Sequence, residues 1–176
     1  METTAQIRQL SFSSARTYLL AALFVIGNIA APQLFHLVPQ GGVTWLPIYF
    51  FTLVGAYLYG WRVGLLTALA SPLVNSLLFG MPAVAALPAI TLKSALLAVA
   101  AGFAARRSEG KVSIGILAAV VLFYQVAGTL GEWALRGDFW LACQDFRIGI
   151  PGMLLQVFGG WAALRLLGRE RSTPLN

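Results

Sequence analysis

Residues 89–105 read Ala89-Ile90-Thr91-Leu92-Lys93-Ser94-Ala95-Leu96-Leu97-Ala98-Val99-Ala100-Ala101-Gly102-Phe103-Ala104-Ala105, an apolar run that carries one ammonium group and stops at Arg106-Arg107. About 20 predominantly apolar residues cross the hydrocarbon of a bilayer. A lysine within such a run costs roughly 2.5 to 3.5 kcal/mol on insertion unless a partner or water receives it. The stretch therefore predicts a membrane helix, and Lys93 predicts a functional site less than two turns from one membrane surface. The alternatives for Lys93 are snorkelling to the headgroups and a structural pair with Glu132.

The pattern repeats on both sides. Apolar runs at 17–38, 44–59, 63–79, 112–135 and 148–167 flank the first, so the expected fold is an all-α integral membrane protein. It would form one domain over 1–176, a six-transmembrane-helix bundle with N- and C-termini cytoplasmic. Composition agrees: 59% of the 176 residues are hydrophobic and 10% charged, where soluble domains carry roughly 25% charged residues. Six crossings leave no room for a soluble catalytic domain. Arg8 and Arg16 ahead of the first run, with Ala30-Ala31 near its end, imitate a signal peptide. Pro32 would hinder cleavage there, and five more runs follow, so it is read as a helix.

The breaks between runs are informative. Pro39-Gln40-Gly41-Gly42 and Gly60-Trp61-Arg62 are turns, and Pro72 predicts a kink inside the third helix. Gly80-Met81-Pro82 and Pro88 bracket a connection too apolar for a free aqueous loop, which suggests a half-buried lid. The longest polar connection, 136–147, carries Asp138, Trp140, Gln144 and Asp145.

Alternating the runs across a membrane sorts the charge. With the N-terminus inside, one face collects Arg8, Arg16, Arg62, Arg106, Arg107, Lys111, Arg165, Arg169 and Arg171, and the other keeps Arg136 and Arg147. Lys and Arg that flank spans stay cytoplasmic, so a multi-pass protein of the cell (cytoplasmic) membrane is expected. Basic residues at the edges of apolar runs do not form the one-faced surface of a nucleic-acid binder, and no nucleic-acid partner is expected.

With Cys143 the single cysteine and His36 the single histidine, neither a disulfide nor a His/Cys metal site is expected. The sequence has no Gly-x-Ser-x-Gly elbow, no His-Glu-x-x-His and no Gly-x-x-x-x-Gly-Lys. An enzyme is therefore not expected, nor a cofactor, and ATP would have to act through a partner.

Several polar residues share the level of Lys93: His36 and Gln40 after the first run, Asn75 and Ser76 in the third, and Glu132 in the fifth. Trp45, Trp133 and Trp140 offer stacking surfaces, although Trp is also enriched at both membrane interfaces. Asn28, Gln125 and Gln156 lie near mid-span, where interhelical hydrogen bonding is the expected role. Small residues at four-residue spacing, Ser13/Thr17/Ala21, Gly64/Ala68 and Ala98/Gly102, fit close helix packing or docking of a membrane subunit.

Taken together, the chain resembles the substrate-binding S components of energy-coupling factor (ECF) transporters. The resemblance covers nearly all of it. It is carried by Tyr59-Gly60-Trp61-Arg62-Val63-Gly64, similar to the family's Gly-rich turn, and by Ile90-Thr91-Leu92-Lys93-Ser94-Ala95 continuing to Gly102, similar to its Lys-bearing fourth helix. The resemblance implies capture of a small vitamin-like substrate, delivered through a transmembrane coupling subunit and ATPase subunits. It implies docking through an Ala-x-x-x-Ala pair in the first helix, for which the nearest equivalents are Thr17 and Ala21. It also implies a pocket near the outer face, with Trp45, Lys93, Glu132, Trp140 and Asp145 as candidates.

The expected substrate-binding set is thus Lys93, Glu132, Asn75, His36, Trp45, Trp140 and Asp145, and the expected docking set Thr17, Ala21, Gly64 and Ala68. Lys93→Ala is expected to weaken binding while leaving expression near normal. The alternative is a self-contained small secondary transporter acting as an oligomer. It calls for an inverted repeat or an ion-coupling residue, and no convincing internal repeat is found.

Overall fold

The computed structural model describes residues 3–4, 7–35 and 37–169, and among these the regular structure is helical apart from one two-residue strand pair. The long helices are α1 (Ala15–Phe35), α4 (Trp61–Phe79), α5 (Leu87–Arg107) and α6 (Ile114–Arg136). Shorter ones are α2 (Gly41–Trp45), α3 (Phe50–Tyr59), α7 (Phe139–Ala142), α8 (Gln144–Ile148) and α9 (Ile150–Leu154). The last helix, α10 (Gly160–Arg169), continues α9 through a π-bulge at Leu155–Gly159.

Among the described residues, five helices are long and apolar enough to cross a membrane: Ala15–Phe35, Trp61–Phe79, Val84–Arg107, Ile114–Arg136 and Ile150–Gly168. The second expected span is different. Instead of one helix over 44–59, a turn of helix at Gly41–Trp45 is followed by Leu46 in the left-handed region (φ 47°) and a shorter apolar helix at Pro47–Tyr59. Pro47 supplies no backbone N–H and restricts the residue before it, so the chain breaks there. At 1.5 Å per residue Pro47–Tyr59 rises roughly 20 Å, short of the roughly 30 Å of hydrocarbon. Burial explains how it can be short. Residues 52–60 are all buried, and α3 packs against α1, α4, α5 and α10, so protein rather than lipid surrounds it.

The bundle has two dissimilar ends. At one, β1 (Thr3–Thr4) pairs antiparallel with β2 (Lys111–Val112), and α10 packs on both strands. Arg8 N and Leu10 N donate to the carbonyls of Leu58 and Tyr59. The Arg62 guanidinium lies 5.6 Å from the Phe12 ring centre and 5.0 Å from that of Trp61, while Nη1 donates to Leu10 O at 3.4 Å. Tyr57 Oη donates to Lys111 O. The basic residues Arg8, Arg16, Arg62, Arg106, Arg107, Lys111 and Arg165 belong to this end; Arg171 lies outside the described residues. The opposite end is made of residues 37–46, 79–87 and 136–149, with short helices and turns.

Between the ends the interior is polar where helices cross. Pro32 in α1 cannot donate to the carbonyl of Asn28 four residues earlier, and Asn75 Nδ2 of α4 fills that vacancy at 2.9 Å. Asn28 Nδ2 donates to Thr52 Oγ1 (2.9 Å) and Ser71 Oγ (3.1 Å), while its Oδ1 accepts from Phe51 N (3.2 Å). Tyr124 Oη donates to Gln156 Oε1 at 2.8 Å, and Gln125 Nε2 donates to Tyr124 Oη at 3.1 Å. The Asn28 and Asn75 bonds join α1 with α3 and α4, and the Tyr124–Gln156 bond joins α6 with the π-bulge, the glue role expected of Asn28 and Gln156; the Gln125 bond stays within α6.

Apart from the exposed Ser13, the small-residue rows face inward. Thr17, Ala21 and Ala68 are buried, and a Cβ on Gly64 would stand 2.4 Å from that of Ala56 and 3.1 Å from that of Ala98. All four of Thr17, Ala21, Gly64 and Ala68 pack within the bundle, where they let its own helices approach closely. The faces turned outward carry large side chains, including Leu19, Leu23, Leu77, Phe103, Phe123 and Phe158.

Gly102 sets the α4–α5 crossing, because its missing Cβ would lie 2.5 Å from Trp61 N and 2.7 Å from Trp61 Cα. Overpacking of this kind costs about 1–3 kcal/mol. Gly102→Ala should therefore lower the thermal unfolding midpoint in detergent. Gly115→Ala, at an exposed helical position with open space around it, should leave the midpoint unchanged or raise it slightly.

Candidate ligand pocket at the end of the bundle

Lys93 does not snorkel. Its side chain lies across α6 where Gly128 leaves room; a Cβ at that position would come within 2.4 Å of Lys93 Cγ. The ammonium group reaches Glu132 Oε2 at 2.7 Å and Asp145 Oδ2 at 2.8 Å, with 3% of the residue exposed. Glu132 stands one turn beyond Gly128 on α6, and Asp145 is in the first turn of α8. Arg136, one turn beyond Glu132, places Nε 3.3 Å from Glu132 Oε1 and donates through Nη2 to Ala85 O at 3.0 Å. The structural pair expected for Lys93 and Glu132 is thus a cluster of four charges, two of each sign. It binds α5, α6, α8 and the α4–α5 connection together.

The cluster forms one side of a cavity of about 570 Å³. Its apolar walls include Val43, Leu46, Pro47, Ile90 and Leu141, and Tyr49 and Asn75 also line it. Residues 38–43 and 80–83 contribute to the rim, the latter within the connection expected to act as a lid. Such a volume, with mostly apolar walls and few polar groups, suits a small organic molecule.

Four residues of the expected binding set, Asn75, Lys93, Glu132 and Asp145, meet at this cavity. Two do not line it. Trp45 packs on Phe35 with ring centres 5.7 Å apart, and its backbone closes against Gly152. Trp140 is 70% exposed and borders a smaller neighbouring cavity with Asp138 and Arg147. His36 lies outside the described residues. Sequence reasoning passed over Arg136 and Tyr49. Arg136 could have been found from its i,i+4 spacing to Glu132; nothing in the sequence separates Tyr49 from an interfacial tyrosine. Among the described residues, no group of three or more His, Cys, Asp and Glu is placed to hold a metal ion.

The geometry adds a stability cost to the expectation for Lys93→Ala. Removing Lys93 leaves two buried carboxylates facing each other without their cation, and breaking a buried pair in this way typically costs about 3–5 kcal/mol. Lys93→Ala should therefore reduce folded yield and thermal stability, not binding alone. Replacing the three charges together, as Lys93→Met/Glu132→Gln/Asp145→Asn, should recover much of the loss. If the single variant melts like the parent, the cluster is hydrated and contributes little.

Comparison with known proteins agrees with this architecture. No curated protein and no solved structure matches the chain. Residues 13–160, which include every helix from α1 to α9 and the whole charge cluster, match the family described as ECF transporter, substrate-specific component. The chain belongs to that family, the substrate-specific components of ECF transporters.

Proposed function

We propose that the protein is the membrane-embedded subunit that captures a vitamin or related micronutrient for ATP-driven uptake, working with a separate transmembrane coupling subunit and ATPase subunits. The observation that carries this is the cavity of about 570 Å³ at the end opposite the basic residues, walled by apolar side chains and one fixed charge cluster. Lys and Arg mark the cytoplasmic side of spans. The Arg106/Arg107/Lys111 end is therefore placed in the cytoplasm, both termini with it, and the cavity opens outward, in the cell membrane. Capture needs no chemistry beyond tight, reversible enclosure. The connection at 80–86 acts as the gate, and Arg136 holds it through Ala85 O.

Orientation is testable in intact cells. In a Cys143→Ser background, a membrane-impermeant thiol reagent should label Val84→Cys and spare Glu109→Cys. The reverse pattern would turn the cavity to the cytoplasm and end the uptake proposal.

Function is testable by mass spectrometry of small molecules retained after mild purification, followed by uptake of the retained compound in cells. Uptake should require hydrolysis by the partner ATPases, while binding to the isolated subunit should not. Uptake that persists without any ATPase would favour the self-contained secondary transporter. In the same assay Arg136→Gln should speed ligand release by several-fold with little change in melting, because it frees the gate.

A further inference from the structure

We infer that the pocket takes a molecule with an apolar body and nitrogen or oxygen hydrogen-bond donors, cationic or neutral overall, and discriminates against carboxylates and phosphates; this rests on the cavity being the capture site. A lysine in a membrane pocket invites the opposite conclusion, but this lysine is already occupied.

Both carboxylates hold it, at 2.7 and 2.8 Å, and the ammonium has little exposure left. An arriving anion would have to take Lys93 from Glu132 or Asp145, leaving a buried carboxylate unpaired in a low-dielectric site, which is strongly unfavourable. Arg136 is similarly committed, to Glu132 and to Ala85 O. Among the described residues that line the cavity, the formal charges are Lys93 and Arg136 against Glu132 and Asp145. They cancel, so no net positive field draws an anion in.

What remains open is acceptors. Asn75 is 1% exposed, lines the cavity, and its Oδ1 has no partner. Its orientation is determined: Nδ2 donates to Asn28 O, the carbonyl vacated by Pro32, and a flipped amide would set oxygen against oxygen. Among the described residues Asp145 engages Lys93 through Oδ2, with no hydrogen bond to Oδ1. A buried acceptor without a donor is costly, and a ligand N–H or O–H relieves it. Sites built this way reject analogues that lack the matching donor more strongly than analogues that differ by a methylene. The apolar walls then hold the body of the molecule.

The test uses the full chain in lipid nanodiscs at pH 7 and a panel of benzene, pyridine, pyrimidine and indole rings. Each ring is presented as aminomethyl, carboxamide and carboxylate, and dissociation constants are measured by calorimetry. For every ring that binds, the amine or carboxamide should bind at least tenfold more tightly than the carboxylate. Asp145→Asn gives the lining a net charge of +1 and should narrow that ratio at least tenfold. Arg136→Gln, at the rim and less exposed to a folding defect, should widen it. A carboxylate that binds as tightly as its amine, or a ratio that neither variant moves, overturns this inference and leaves the capture role standing. Binding of no member of the panel counts against the cavity as a capture site and takes both down.

Discussion

Burying one ammonium group inside a lipid-embedded bundle is the constraint on which the rest of this structure depends. In a low-dielectric interior a charge must be neutralised by close partners, and Lys93 has two, one from α6 and one from α8. Meeting that requirement shapes the neighbourhood. Gly128 must lack a side chain so that the lysine can lie across α6, and the polar chain after α6 must fold back over the bundle so that Asp145 arrives. Arg136 then balances the second carboxylate and extends the cluster to the backbone at Ala85. Two chain connections that sequence alone leaves as loops are thereby anchored to the same four charges.

A second polar device supports the first without charge. Pro32 frees a carbonyl in α1, Asn75 of α4 occupies it, and Asn28 itself bridges to Thr52 and Ser71. Interhelical hydrogen bonds in membranes contribute modestly each, yet here they determine orientation. Asn75 is obliged to present its oxygen to the cavity. One residue thus both ties two helices together and lines the cavity, so the line drawn from sequence between glue residues and pocket residues does not hold at Asn75.

Much of the fold was legible in the sequence because membrane helices announce themselves by length and apolarity, and charge flanks them. The run at 89–105 became α5, Leu87–Arg107, and Lys93 and Glu132 stood where they were expected to meet. What was not legible depends on tertiary surroundings. The run at 44–59 has the composition of a span, but Leu46-Pro47 breaks it and burial by neighbours lets the remainder stay short. Small residues at four-residue spacing describe close approach without saying to what, and at Thr17, Ala21, Gly64 and Ala68 the approach is internal. Trp45 and Trp140 were candidates because an aromatic ring suits a flat ligand, and sequence does not tell such a ring from one packed on Phe35 or left at an interface.

The unequal construction of the two ends fits a capture role better than a rigid channel or a scaffold. At the basic end the strand pair, the Arg62 clamp on Phe12 and Trp61, and the Tyr57 bond to Lys111 O join chain segments far apart in sequence. At the cavity end α2, α7 and α8 are each five residues or fewer. Helices that short have little stability of their own, and segments with few buried contacts open at low free energy. On the proposed capture role, it is this apolar rim that parts and recloses around a ligand while the base stays intact. The charge cluster would then limit the opening, because movement that separates Lys93 from Glu132 and Asp145 pulls buried opposite charges apart at steeply rising cost.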